Sequence, residues 1–341
     1  MRLLKLILSF VVCAAIGALI YSASAQPPGQ TRQPSGQMQP PGGRMQPPPI
    51  APAGPGSGPY PAMSEVDPGL PTHTIFRPSN LEGLRSVRLP VLAWANGGCA
   101  NSPRGFEPFL TEIASHGFLV IAIGTTPQGQ TAVPQGPPAL PQEGQATGAP
   151  TRATPPPGSQ TSYKQMIQAI DWVAAQNAQQ GNRYRGKLDL SKVAVAGQSC
   201  GGLQAIEASL DPRVTTTLVC NSGVLNTSAG APSMPSSPPK DILQKLRTPM
   251  FYMIGGPSDI AYPNATDDFA RIEKVPVFML NHDVGHGGTY RQANGGEFGK
   301  AAVAWLKWQL KDDQAAKKMF VGTDCLYCSN SLWKIQVKNF Q

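Results

Sequence analysis

The stretch Gly197-Gln198-Ser199-Cys200-Gly201-Gly202 combines residue types and spacing suited to nucleophilic chemistry. It follows the apolar run 193–196 and precedes Leu203, Ile206 and Ala208 at helical spacing. A serine between glycines at a strand–turn–helix junction occupies a sharp turn that lifts its Oγ above the sheet. Gly197 and Gly201 omit side chains that would collide with the neighbouring strand and helix. The hydroxyl becomes a nucleophile when a base takes its proton. The N–H of the next residue, Cys200, would then face the developing oxyanion. The spacing alone recurs by chance. Its position between a strand and a helix favours a nucleophilic Ser199 over a structural serine in a Gly-rich turn.

A nucleophilic serine needs a base and an acid to orient that base. Beyond Ser199 the sequence has two histidines, His282 and His286. His286 lies in Gly285-His286-Gly287-Gly288, a loop able to bring an imidazole to a hydroxyl. His282 is nearer the apolar run 275–280 and reads as structural. The acid is expected after run 250–254, where Gly255-Gly256-Pro257-Ser258-Asp259 follows. Asp259 would fix the imidazole tautomer and stabilise the imidazolium. Asp267, Asp268 and Asp283 are rivals whose alternative roles are helix capping or a solvated loop. A second oxyanion donor is expected from Gly98 or Cys99 in Asn96-Gly97-Gly98-Cys99. Trp94, Gly98, Asn221, Tyr262 and Tyr290 lie near strand ends and are candidates for a substrate pocket, with ordinary packing as the competing role.

These residues must be positioned by a regular frame. Runs 91–94, 118–123, 193–196, 217–220, 250–254 and 275–280 are continuous and apolar, as in strands buried on both sides. Helical periodicity falls near 104–115, 162–179, 200–209, 264–272 and 297–310. Alternation of the two predicts an α/β fold: a mostly parallel central sheet with helices on both faces. Pro-rich insertions at 125–160 and 226–240 leave from strand C-terminal ends, where open sheets form their ligand crevice. They read as lids or as passive surface loops.

Composition sets the remaining bounds. The 341 residues include 36 Gly and 36 Pro, and 14% are charged. That composition excludes a coiled coil or helical bundle. The net charge of +8 is scattered, without a basic stripe, so no nucleic-acid partner is expected. Arg2 and Lys5, an apolar run to Ile20 and Ala23-Ser24-Ala25 read as a signal peptide over 1–25. Cys13 lacks a lipoprotein setting. Residues 26–71 read as a disordered Pro/Gly-rich tether, able to space a domain at 72–341 from an envelope. A secreted or periplasmic location permits disulfides, and the five cysteines after the leader leave at least one thiol over. Cys325 and Cys328 can close a small loop, and Cys220 reads as a core thiol. The single C-x-x-C fits no metal pattern, and neither metal nor organic cofactor is implied.

The Asn96–Cys99 loop, the helix after it and Ala114-Ser115-His116-Gly117-Phe118 resemble the α/β-hydrolases related to dienelactone hydrolases and to cutinase-like polyester hydrolases. The resemblance covers roughly residues 72–310. It implies an α/β-hydrolase fold and cleavage of small-molecule or polymer carboxylic esters through Ser199, Asp259 and His286. Counting back from Ser115, it places the oxyanion residue at Cys99. Cys99 and Cys200 would then flank one oxyanion, and a Cys99–Cys200 disulfide follows as a hypothesis from that proximity. The chain departs from the family in having Cys at 99 and 200, and in its 125–160 insertion. An amidase or peptidase with the same triad, and a non-catalytic envelope-binding domain, are the alternatives. A monomer is expected.

Overall fold

A computed structural model describes residues 48–126, 160–226 and 237–340. The expected leader, residues 26–47 of the expected tether, and most of both insertions lie outside the described residues. Nine strands run in chain order: β1 (Ala62–Glu65), β2 (His73–Pro78), β3 (Leu89–Ala95), β4 (Leu119–Ile123), β5 (Leu188–Gln198), β6 (Val214–Cys220), β7 (Met250–Ile254), β8 (Val277–Asn281) and β9 (Lys334–Lys338). They form one sheet in the order β1-β2-β4-β3-β5-β6-β7-β8-β9. The pairs from β4 through β8 are parallel. The β1–β2, β2–β4 and β8–β9 pairs are antiparallel. The protein is therefore α/β, with a mostly parallel sheet.

Helices cover both faces because alternate strand residues point to opposite sides. Leu92, Trp94, Val120, Leu218, Phe251 and Phe278 pack on one side, against α1 (Glu107–Ser115) and α5 (Gly296–Lys311). On the other side, Val91, Ala93, Ile121 and Val195 meet α2 (Tyr163–Ala178) and α3 (Cys200–Ala208). Tyr252, Val277 and Met279 on that side meet α4 (Tyr262–Arg271). The α2 start is fixed by a capping box between Ser162 and Gln165. Two one-turn helices, α6 (Gln314–Lys317) and α7 (Leu326–Ser329), precede β9.

The expected tether boundary at residue 71 needs correction. Residues 48–71 belong to the folded domain, and β1 lies among them. Several of their backbone groups bond to neighbouring elements. Ser57 N–H donates to Glu112 at 2.7 Å, and Tyr60 N–H donates to the Ser115 carbonyl at 3.0 Å. Glu65 on β1 accepts from Arg77 on β2 at 2.8 Å and from the Tyr184 hydroxyl at 3.0 Å. Main-chain pairing and one charged cluster anchor a segment with few large apolar side chains. Among the described residues, no helix is long and apolar enough to cross a membrane.

The aromatic centre of the α5 face is Trp305. It is fully buried, stacks on Phe251 with centroids 4.7 Å apart, and donates from Nε1 to Thr216 Oγ1 at 2.9 Å. Trp305→Ala is expected to lower unfolding stability by about 3–5 kcal/mol, read as a lower urea midpoint. A loss under about 1 kcal/mol would show that this face can collapse around the gap.

Candidate functional site

The parallel strands present their C-terminal ends along one edge of the sheet, where backbone turns bring polar groups together. Ser199 joins β5 to α3 with φ 54° and ψ −118°, a left-handed conformation that a non-glycine residue seldom adopts. The turn is tight on every side. A Cβ at Gly197 would strike the Gly201 carbonyl, one at Gly201 the Ala95 carbonyl, and one at Gly202 the Ser222 side chain. Ser199 N–H donates to the Cys220 carbonyl at 2.9 Å, and Ser222 Oγ donates to the Ser199 carbonyl at 2.6 Å.

His286 lies in the loop after β8, with Nε2 2.9 Å from Ser199 Oγ. Its Nδ1 lies 2.6 Å from Asp259 Oδ1. Asp259 is almost fully buried after β7, and each of its oxygens meets two donors. Oδ1 faces His286 Nδ1 and accepts from the Ala261 N–H at 2.9 Å. Oδ2 accepts from the Gly255 N–H at 3.0 Å and Asn221 Nδ2 at 2.7 Å. Burial raises the Asp259 pKa, but bonds from His286, Ala261, Gly255 and Asn221 outweigh it and hold the carboxyl below its ordinary range. Asp259 therefore adds stability above its unfolded pKa, lost as pH falls through its lowered folded value. A hydroxyl, an imidazole and an ionised carboxylate in this line can activate the serine and carry its proton.

Cys99 and Cys200 form a disulfide with Cα atoms 5.2 Å apart. It ties the loop after β3 to the first residue of α3. Cys99 has a left-handed φ of 51°. Behind it, Thr161 N–H donates to the Cys99 carbonyl at 3.2 Å, and Gln204 Nε2 donates to the Thr161 carbonyl at 2.9 Å. Cys325 and Cys328 form a second disulfide, and Cys220 remains a buried thiol whose pKa burial pushes up to about 12.

A cavity of about 140 Å³ opens beside Ser199 and His286, with Leu203, Leu225, Ile260 and Ala261 as its apolar lining. Ile260 is 76% exposed. A second cleft of about 160 Å³ is bordered by Phe106, Gln198, Gly287 and Arg291.

Several expected pocket residues lie elsewhere. Trp94 does not border the cavity beside Ser199. It is fully buried, packs on Phe106 and Phe109, and donates from Nε1 to Asn96 at 3.0 Å. Its strand position points it into the α1–α5 face, below the crevice. Tyr262 starts α4 and packs against the opposite core, leaving Ile260 and Ala261 at the cavity. Gly98 is exposed in the loop after β3 and also lies outside that lining. Asn221 borders the cavity, but its carboxamide is turned to Asp259. Tyr290 borders the second cleft.

The other expected rivals have partners of their own. His282 Nδ1 lies 3.2 Å from the Leu332 carbonyl, and Asp283 accepts from Ser258 at 2.6 Å. Asp267 pairs with Lys240 and Arg271, each at 2.8 Å. Asp268 is buried against Lys240, Val224 N–H and the Tyr252 hydroxyl. Gln198, unmarked by sequence reasoning, donates from Nε2 to the His286 carbonyl at 3.0 Å. Nothing in its local pattern signals a partner 88 residues away.

No protein-family model matches the chain, and comparison with curated proteins returns no match.

The Cys99–Cys200 bridge spans 101 residues of sequence, whereas Cys325–Cys328 spans 3. Loop-closure entropy therefore favours the first as the stabilising cross-link. A Cys99→Ser/Cys200→Ser variant is expected to lose about 2–5 kcal/mol in chemical denaturation. The Cys325→Ser/Cys328→Ser variant should lose less, and equal losses would contradict the loop-length account.

Proposed function

We propose that the protein is an α/β-hydrolase that cleaves carboxylic esters through a Ser–His–Asp triad and an acyl-enzyme. The carrying observation is the hydrogen-bonded line from Ser199 Oγ through His286 to Asp259, at 2.9 and 2.6 Å. Its placement supports the reading: the serine follows a central parallel strand, the acid follows β7, and the histidine follows β8.

In the proposed reaction, His286 Nε2 takes the Ser199 proton as Oγ bonds to the ester carbonyl carbon. Asp259 stabilises the imidazolium through Nδ1. The carbonyl oxygen becomes an oxyanion, to which the Cys99 and Cys200 N–H groups would donate. The tetrahedral intermediate collapses, and the alcohol leaves with the proton from His286. Water then attacks the acyl-serine with His286 as base, releasing the acid and restoring Ser199. The cavity lined by Leu203, Leu225, Ile260 and Ala261 suits a short apolar acyl group. The two disulfides are compatible with an extracellular site of action.

The test is hydrolysis of p-nitrophenyl acetate, butyrate and octanoate by wild type and Ser199→Ala. Wild type should favour the two shorter esters and react with a fluorophosphonate probe. Ser199→Ala should lose the label and about 10⁴-fold or more in kcat. Equal activity in the two proteins would overturn the proposed nucleophile.

A further inference from the structure

Two buried polar side chains stand behind Asp259 without a part in the proposed bond-making steps. Asn221 is 0% exposed and Tyr290 is 1% exposed. Tyr290 Oη donates to Asn221 Oδ1 at 2.6 Å. Asn221 Nδ2 donates to Asp259 Oδ2 at 2.7 Å and to the Gly285 carbonyl at 3.2 Å. Gly285 immediately precedes His286. One carboxamide thus holds the acid and the main chain that delivers the base.

The amide orientation is fixed by its partners. Asp259 Oδ2 and the Gly285 carbonyl are acceptors, so the amide nitrogen must face them. Its oxygen is left to accept from Tyr290. Asn221 has φ 43°, a left-handed conformation that asparagine tolerates better than most non-glycine residues. Its N–H donates to the Met253 carbonyl on β7 at 2.7 Å. The Tyr290 ring is locked by Phe109 and Phe298, with centroids 5.1 and 5.3 Å away. Burial raises the Tyr290 phenol far above its ordinary pKa, so it remains a donor across the working pH range.

The geometry points to Asn221 and Tyr290 as positioning residues for the proposed ester hydrolysis, holding the Asp259 carboxylate and the Gly285–His286 backbone in register without acting on substrate. This inference rests on the Ser199–His286–Asp259 reading. Loss of the Asn221 donor leaves one buried carboxylate oxygen short of a partner. The Gly285–His286 main chain then loses a tether, and the carboxylate binds its proton more readily. The titratable groups around it are His286 and, through Asn221, Tyr290 with the Cys220 thiol beside it. Asp283 on the neighbouring loop is paired with Ser258.

The experiment compares wild type, Asn221→Ala, Asn221→Asp and Tyr290→Phe on p-nitrophenyl butyrate from about pH 5 to 9, with melting temperatures recorded. Asn221→Ala should lose about 10–100-fold in kcat and Tyr290→Phe about 10-fold, with KM within about 2-fold of wild type. Both should move the acid limb of kcat/KM to higher pH, because the Asp259 carboxyl takes up its proton more readily once its donors are weakened. In Asn221→Asp, one proton shared between the carboxyls restores a donor toward Asp259. That variant should recover part of the lost kcat near neutrality and lose it as the proton leaves. Lower melting temperatures with unchanged kcat and acid limb would show mere structural support and overturn the inference, while active wild type preserves the triad reading. If Asn221→Ala does not fold, Tyr290→Phe decides by the same kinetic criteria. Wild type inert toward every ester and the fluorophosphonate probe would remove the triad reading and this inference together.

Discussion

The structure turns on the crowded junction between β5 and α3. A parallel strand must pass into a helix within one residue while the helix packs back on the sheet. Gly197, Gly201 and Gly202 permit that approach because backbone or side-chain atoms occupy the space a Cβ would need. Ser199 takes the left-handed conformation that the reversal imposes, at a cost on the order of 1–3 kcal/mol. Surrounding bonds offset the cost: its N–H is held by β6, and its carbonyl accepts from Ser222 Oγ and the first turn of α3. The resulting conformation also sets the hydroxyl against His286 Nε2. Packing and placement of the candidate nucleophile thus share one backbone turn.

The same constraint extends along the sheet edge. Cys99, Ser199 and Asn221 follow the neighbouring strands β3, β5 and β6, and all three have positive φ. Ser199 and Asn221 turn directly off β5 and β6, while Cys99 lies in the loop beyond β3, so groups from adjacent strands meet above the sheet. Lateral links then connect the exits. The Cys99–Cys200 bridge joins the β3 loop to α3, Gln198 holds the His286 carbonyl, and Asn221 joins the exits of β6, β7 and β8. These links bind the site across the strands, while ladder hydrogen bonds secure the sheet below.

Legibility in the sequence followed burial. The six central parallel segments were visible because strands covered on both sides read as continuous apolar runs. Their amphipathic helices were visible by the same logic. The outer strands were missed: β2 carries His73 and Arg77, while β1 is a four-residue strand beside a Pro-rich stretch. Strand β9, Lys-Ile-Gln-Val-Lys, was missed as well, although it alternates in the manner of a half-exposed edge strand. Ser199, Asp259 and His286 were legible as positions because turn chemistry and strand order are local or sequential features. Trp94 was left between a pocket role and ordinary packing because proximity to a strand end does not say which face its side chain enters, and the packing role is the one it has. Asn221's partners were hidden for another reason: Gly285 and Tyr290 lie 64 and 69 residues away.

The composition of the two sheet faces explains how the core reaches the site. The α2–α3 face is largely aliphatic, but the α1–α5 face gathers Trp94, Phe109, Tyr290, Phe298 and Trp305. Aromatic pairs prefer edge-to-face or offset-stacked arrangements, which gives the rings of this group defined directions. Tyr290 lies at the upper margin of that aromatic group, with Phe109 and Phe298 nearly perpendicular to it. Its ring belongs to the hydrophobic core, while its hydroxyl reaches Asn221. The buried aromatic face thereby supplies a rigid support for the Asp259 hydrogen-bond network without placing another charge beneath the carboxylate. Polar geometry at the sheet edge is thus tied to apolar packing below it by one phenol.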